Sequence, residues 1–144
     1  MLAVGILAIV LLAFVVYLPI LPGSFLLDDT RLIGSDNPLL TGKIALHSIW
    51  FGTDFALATY GWSVERNVFG SGPAGYHVVN IVLHAISAIL LWRLLAQLKI
   101  PGAWLAGALF VVHPVCVNSV ARISELKNTL ALPFLILSFI GYLR

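Results

Sequence analysis

Two carboxylates stand side by side in the run Phe25-Leu26-Leu27-Asp28-Asp29, a few residues beyond a long apolar stretch. Neighbouring carboxylates repel, and a membrane surface strips them of part of their water. Both effects raise a carboxyl pKa toward the range useful to a general base. The same pair suits a helix start, with Asp29 as N-cap of a helix beginning near Thr30 and the acids in its first turn. The two readings are compatible.

A second constellation runs from His113 to Lys127 (HPVCVNSVARISELK). It places Arg122, Glu125 and Lys127 where an apolar helix meets water, with Arg122 and Glu125 spaced to pair on one helix face. These side chains either snorkel to anchor the helix or grip a lipid-linked phosphate, a task suited to the Arg fork or the Lys point charge. Cys116 reads as a small hydrophobe rather than a nucleophile. A third set, His77, Asn80, His84 and Ser87, recurs at steps of three and four and so shares one helix face. Such a stripe either hydrogen-bonds to neighbouring helices or forms the polar wall of a cavity. A two-histidine metal clamp is disfavoured, because His77 and His84 lie about 10.5 Å apart along the axis. No phosphate-cradling glycine loop, GxSxG or HExxH occurs in the chain.

The elements that position these residues follow from composition. Of 144 residues, 60% are hydrophobic and 10% charged, with a mean hydropathy of +1.04. A soluble core of this length needs a far more polar surface, so the solvent is lipid. The net charge of +2 is too small and scattered for nucleic acid. A single cysteine excludes a disulfide within the chain and any multi-cysteine metal site.

Residues 1–22 carry no charge, enough to cross a hydrocarbon layer of about 30 Å. A signal peptide would want a basic start and a small-residue cleavage site. The first basic residue here is Arg31, and Pro19, Pro22 and Gly23 end the segment, so an uncleaved anchor is expected.

Residues 23–75 hold five of the six acids, several turn residues and the aromatics Trp50, Tyr60 and Trp62. They read as an extracytoplasmic loop with short amphipathic helices at the interface, those rings lying at headgroup level. A second span is expected over 76–98, a short third over 103–117, an interfacial segment over 118–128 and a fourth span over 129–143. The fold class is an all-α membrane protein with about four transmembrane helices and a long first loop. The basic density of the 93–99 turn favours its placement in the cytoplasm, while the total Lys and Arg count goes the other way.

The order of motifs resembles a known family. Phe25-Leu26-Leu27-Asp28-Asp29 precedes Leu32-Ile33 and Asn37-Pro38; Phe69-Gly70 leads into Pro73-Ala74-Gly75-Tyr76-His77 and on to Asn80 and His84; His113-Pro114 leads into Ser119-Val120-Ala121, Ile123-Ser124-Glu125 and Lys127. Nearly the whole chain thereby resembles the N-terminal membrane module of the TPR-repeat O-mannosyltransferase-like proteins of the GT-C superfamily.

The resemblance implies a multi-span enzyme, of the bacterial inner membrane or the endoplasmic reticulum, that passes a mannose-like sugar from a polyprenyl- or dolichyl-phosphate carrier to a protein hydroxyl. Asp28 takes the role of general base, and Asp29 that of its partner or an acceptor or ion contact. Arg31, His77, Asn80, His84, His113, Arg122 and Lys127 are the expected substrate or lipid-phosphate contacts. The first loop and the His113–Lys127 segment are expected on one, non-cytoplasmic side. No metal ligand set is assigned, although the resemblance leaves room for a divalent cation and for further subunits.

The chain departs from the family pattern at Phe55-Ala56-Leu57, where an Arg-Pro-Leu stretch is usual, and at Cys116, Asn118 and Leu126, where polar groups are usual. Further spans and helical repeats are usual after such a module. The expectation is therefore a piece of a longer transferase or, alternatively, a catalytically inactive scaffold subunit of a larger complex. A small transporter subunit is disfavoured by the absence of charge between residues 76 and 92.

Overall fold

A computed structural model describes residues 2–26, 29, 33 and 46–143. Asp28, Arg31, Asp36 and Lys43 lie outside the described residues, as does the predicted helix start at Thr30.

The described elements are helical, with no strand among them. Helix α1 covers Leu2–Tyr17 and runs into a 3-10 turn at Leu18–Ile20, where Pro19 cannot continue the α-helix. Two loop helices follow, α2 over Leu46–Gly52 and α3 over Ala56–Phe69. Helix α4 spans Pro73–Gln97, with Pro73 at a first-turn position that needs no N–H donor. It closes with a Schellman pair: Lys99 N–H to Ala96 O at 3.0 Å and Ile100 N–H to Leu95 O at 3.0 Å. Lys99 adopts φ 58° to make that turn.

Helices α5 (Ala103–Val112) and α6 (Pro114–Ala121) are bent by 58°. The break falls where sequence chemistry demands it. Pro114 disfavours helical geometry at the preceding residue, and His113 is extended at φ −68°, ψ 126°. A 3-10 turn at Ile123–Glu125 then opens α7, Leu126–Tyr142. Leu2–Ile20, Pro73–Gln97 and Ile123–Tyr142 are each long and apolar enough to cross a membrane, and the bent pair makes up to a fourth span. The chain is an all-α membrane protein.

Close packing rests on small residues. Gly107 of α5 lies so near α4 that an added Cβ would stand 2.9 Å from the Ala88 carbonyl oxygen. Ala13 of α1 and Ala85 and Ala88 of α4 are buried in the same core with Ile9, Ile81 and Val111. A second core joins the loop to the spans through Ile33, Ala58, Trp62, Tyr76, Ile123 and Leu126. Trp62 differs from its expected place at headgroup level. It is buried, and its indole N–H donates to Ile123 O at 3.2 Å. Apolar burial together with a satisfied N–H outweighs an interfacial seat for this ring.

Candidate active site at the loop end of the bundle

Asp29 is 0% exposed, a costly place for a carboxylate unless its oxygens are bonded. Both are. Oδ1 accepts the Ser124 N–H at 2.7 Å and Oδ2 accepts the Leu26 N–H at 3.0 Å. The first of these bonds closes a gap of 95 positions and fixes Asp29 against the 3-10 turn that opens α7. Two loop bonds reinforce the join: Trp62 to Ile123 O, and Asn80 Nδ2 to Arg122 O at 3.0 Å. The first loop and the Arg122–Ser124 turn thus meet at one end of the bundle.

His77, on the first turns of α4, is buried. Its Nε2 faces the backbone of Gly23, where an added Cβ would approach to 3.4 Å. Neither ring nitrogen has a hydrogen-bond partner among the described residues. Buried donors and acceptors are nearly always paired, so His77 has binding capacity to spare at this point.

The remaining stripe residues are spent on the fold. Asn80 donates to Arg122 O and accepts from Thr129 Oγ1 at 2.9 Å, so its amide ties α4 to the Arg122 turn and to α7. His84 Nε2 lies 3.3 Å from Val111 O, and its ring packs on Tyr17 and Phe110. Ser87 donates to Leu83 O on its own helix. Below Asn80, His84 and Ser87 line a cavity of about 160 Å³ with Cys116 and Ser119.

Curated relatives match most of the length of the chain. A protein O-mannosyl-transferase of Caenorhabditis elegans, F38B6.6, is 28% identical over 97% of the chain and 23% of the relative. Tmtc1 of Drosophila melanogaster is 30% identical over 92% of the chain and 17% of the relative. TMTC4 of Mus musculus is 32% identical over 83% of the chain and 20% of the relative. The chain belongs to the TMTC-like O-mannosyl-transferase family. It spans about a fifth of the length of these relatives. No family model matches the chain, and no solved structure matches it significantly.

Among the other expected contacts, His113 and Lys127 have local partners of their own. His113 is exposed and caps α6, its Nδ1 accepting the Val115 N–H at 3.3 Å. Lys127 lies 3.8 Å from Glu125 and 4.6 Å above the Phe55 ring, on the wall of a cleft of about 260 Å³ with Asp54, Leu57 and Leu130. Glu125 also accepts from Asn128. The expected Arg122–Glu125 pairing on one helix face is not formed as such. Arg122 is extended at the break before the 3-10 turn, so the two residues do not share a helix face. No group of three metal-ligating residues occurs among the described residues.

Sequence reasoning passed over Glu65. It is buried on α3 beside Trp62, and burial pushes its carboxyl up to about 8. Its Oε2 has no hydrogen-bond partner among the described residues. The clue was available, since Ala58, Trp62 and Glu65 recur at helical spacing and place the acid on the packed face.

Proposed function

We propose that this chain is the loop-bearing membrane module of a glycosyltransferase that moves a mannose-like sugar from a polyprenyl- or dolichyl-phosphate carrier to a protein hydroxyl. The names of the relatives, protein O-mannosyl-transferases, support the reaction class. The observation that carries the reading is the Ser124–Asp29 bond, which ties Asp29 to the segment bearing Arg122. An acid and a cation from distant parts of the sequence are thereby held at one end of the bundle.

In the proposed step, Asp28 takes the proton of the acceptor hydroxyl. The hydroxyl oxygen bonds to the anomeric carbon from the side opposite the phosphate. The bond between that carbon and the phosphate oxygen breaks, and its electron pair leaves on the lipid phosphate, with inversion. Asp29 is a positioning residue, held by two backbone donors. Arg31 and Arg122 supply positive charge to the departing phosphate. The His77 nitrogens, without a hydrogen-bond partner among the described residues, contact the acceptor or the sugar.

The scaffold reading has one observation in its favour: Asn80, His84 and Lys127 already have protein partners. One assay separates the two. The full-length protein is given a lipid-phosphate mannose donor and a Ser/Thr-containing acceptor peptide, as wild type and as Asp28→Asn. Transfer by wild type that falls roughly 10²–10⁴-fold in the variant, with membrane insertion intact, is the expected result. Wild-type rates in the variant eliminate Asp28 as the base. A wild-type protein that transfers nothing yet co-purifies with partner subunits is a scaffold.

A further inference from the structure

The cavity of about 160 Å³ between α4, α6 and α7 begins one turn along α4 from Asn80, at His84. Its polar lining is His84, Ser87, Cys116, Ser119, Asn128 and Thr129, and no charged side chain lines it among the described residues. The donors of this lining are largely spent. Ser87 donates to Leu83 O at 2.9 Å, and Thr129 Oγ1 donates to Asn80 Oδ1 at 2.9 Å. Asn128 gives an amide N–H to Glu125. His84 Nε2 stands 3.3 Å from the Val111 carbonyl oxygen, which can only accept, so the neutral ring carries its proton on Nε2. What these groups have left is lone pairs, on two hydroxyl oxygens, an amide oxygen and an imidazole Nδ1.

An uncharged cavity rich in acceptors narrows the class of ligand. A phosphate or carboxylate brings negative charge and acceptors, and meets neither a cation nor a ready set of donors. An ammonium group brings donors, but no carboxylate lines the cavity to offset its desolvation. Hydroxyl groups bring donors without charge. The volume holds roughly five waters at ~30 Å³ each, which is about the bulk of a glycerol unit. The mouth faces the membrane. Val115 on the rim is 76% exposed, and the cavity lies between the spans Pro73–Gln97 and Ile123–Tyr142. Thr129 is six residues past Ile123, about 9 Å along the axis, so the site is shallow in the bilayer.

We propose that this cavity binds the hydroxyl end of an uncharged glycerolipid of the diacylglycerol type, entering from the membrane. The site is separate from the acidic junction, because Asn80, bonded at both ends of its amide, stands between His77 and His84 on α4. It therefore does not depend on the transferase reading.

The test uses the whole chain in phosphatidylcholine nanodiscs, with its single cysteine, Cys116, as reporter. Methyl methanethiosulfonate labels this half-buried thiol, and the rate is followed as dioleoylglycerol is added. Slowing of about fivefold is expected once the lipid exceeds its Kd about fourfold. Trioleoylglycerol, with the same chains and no hydroxyl, should leave the rate unchanged. Ser87→Ala and Ser119→Ala should each weaken the protection with little change in melting temperature, since Ser87 bonds only its own helix and Ser119 is half-buried. Equal slowing by trioleoylglycerol overturns the proposal, because acyl chains alone then fill the cavity. Slowing by glycerol in the buffer but not by dioleoylglycerol also overturns it, because the ligand then comes from water. A rate that neither changes, or a thiol that never labels, overturns it as well.

Discussion

At the Gly5–Trp104 end of the bundle the helices meet through small residues and indole rings, whereas at the Asp29–Ser124 end they meet through buried polar groups. Gly5 is pressed against Trp92, and its carbonyl accepts the Trp104 indole N–H at 3.2 Å. Gln97 closes the same end with a bond to Leu143 O at 3.2 Å. Across the bundle, Asp29, Asn80, Thr129 and Ser124 are all buried, and three of their bonds cross from one element to another. One end is a packed clamp, the other a polar junction where His77 has no hydrogen-bond partner among the described residues. Packing of small residues against rings secures the first end, and under the proposed function the buried polar groups of the second supply fixed dipoles to the reaction.

Changes at the two ends should therefore have different signatures. The largest expected effect belongs to the junction. Asp29→Ala leaves the buried Ser124 N–H and the part-buried Leu26 N–H without acceptors, at roughly 1–3 kcal/mol for a buried group, so thermal unfolding in detergent micelles should show a loss of about 1–4 kcal/mol. A loss below half a kcal/mol would mean that the Ser124 bond does not hold the loop.

At the clamp, Gly107→Leu forces a side chain into the Ala88 carbonyl and should lower stability by about 1–3 kcal/mol through overpacking. An unchanged melting temperature would contradict the close approach of α4 and α5.

Glu65 sharpens the comparison by pH. Its folded pKa of about 8 lies above the ordinary 4.5, so the folded state holds the proton more tightly than the unfolded state does. Its stabilising effect is complete below about 4.5 and is lost as pH rises through about 8. Melting temperature should fall between those values, and Glu65→Gln should flatten that slope. An identical slope in the glutamine variant would assign the effect elsewhere. The smallest effect is expected at Lys127→Ala. Its partly exposed contacts with Glu125 and Phe55 are worth roughly 1 kcal/mol or less in chemical denaturation.

Much of this comparison could be read from the amino acids. The membrane character and helical class follow from composition and charge-free runs, because lipid leaves the backbone few other choices. The inward stripe of His77, Asn80, His84 and Ser87 was legible from spacing, which is local information. What each of its members bonds to was not. Asn80 finds Arg122 and Thr129, both more than 40 positions away, and no periodicity in α4 carries that pairing. The same holds for Asp29, whose neighbour in sequence reads as a catalytic partner but whose oxygens are claimed by the backbone at Ser124 and Leu26. Trp62 was misplaced because an amphipathic ring suits either an interface or a core with one acceptor, and only the Ile123 carbonyl decides between them.

The division of labour between the two adjacent acids is the heart of the account, and parallel measurements on Asp28→Asn and Asp29→Asn in the full-length protein test it directly. Mannose transfer and melting temperature are recorded for both. The first variant should lose transfer with its melting temperature unchanged, and the second should lose melting temperature. Full transfer by Asp28→Asn, or an Asp29→Asn protein as stable as wild type, contradicts it.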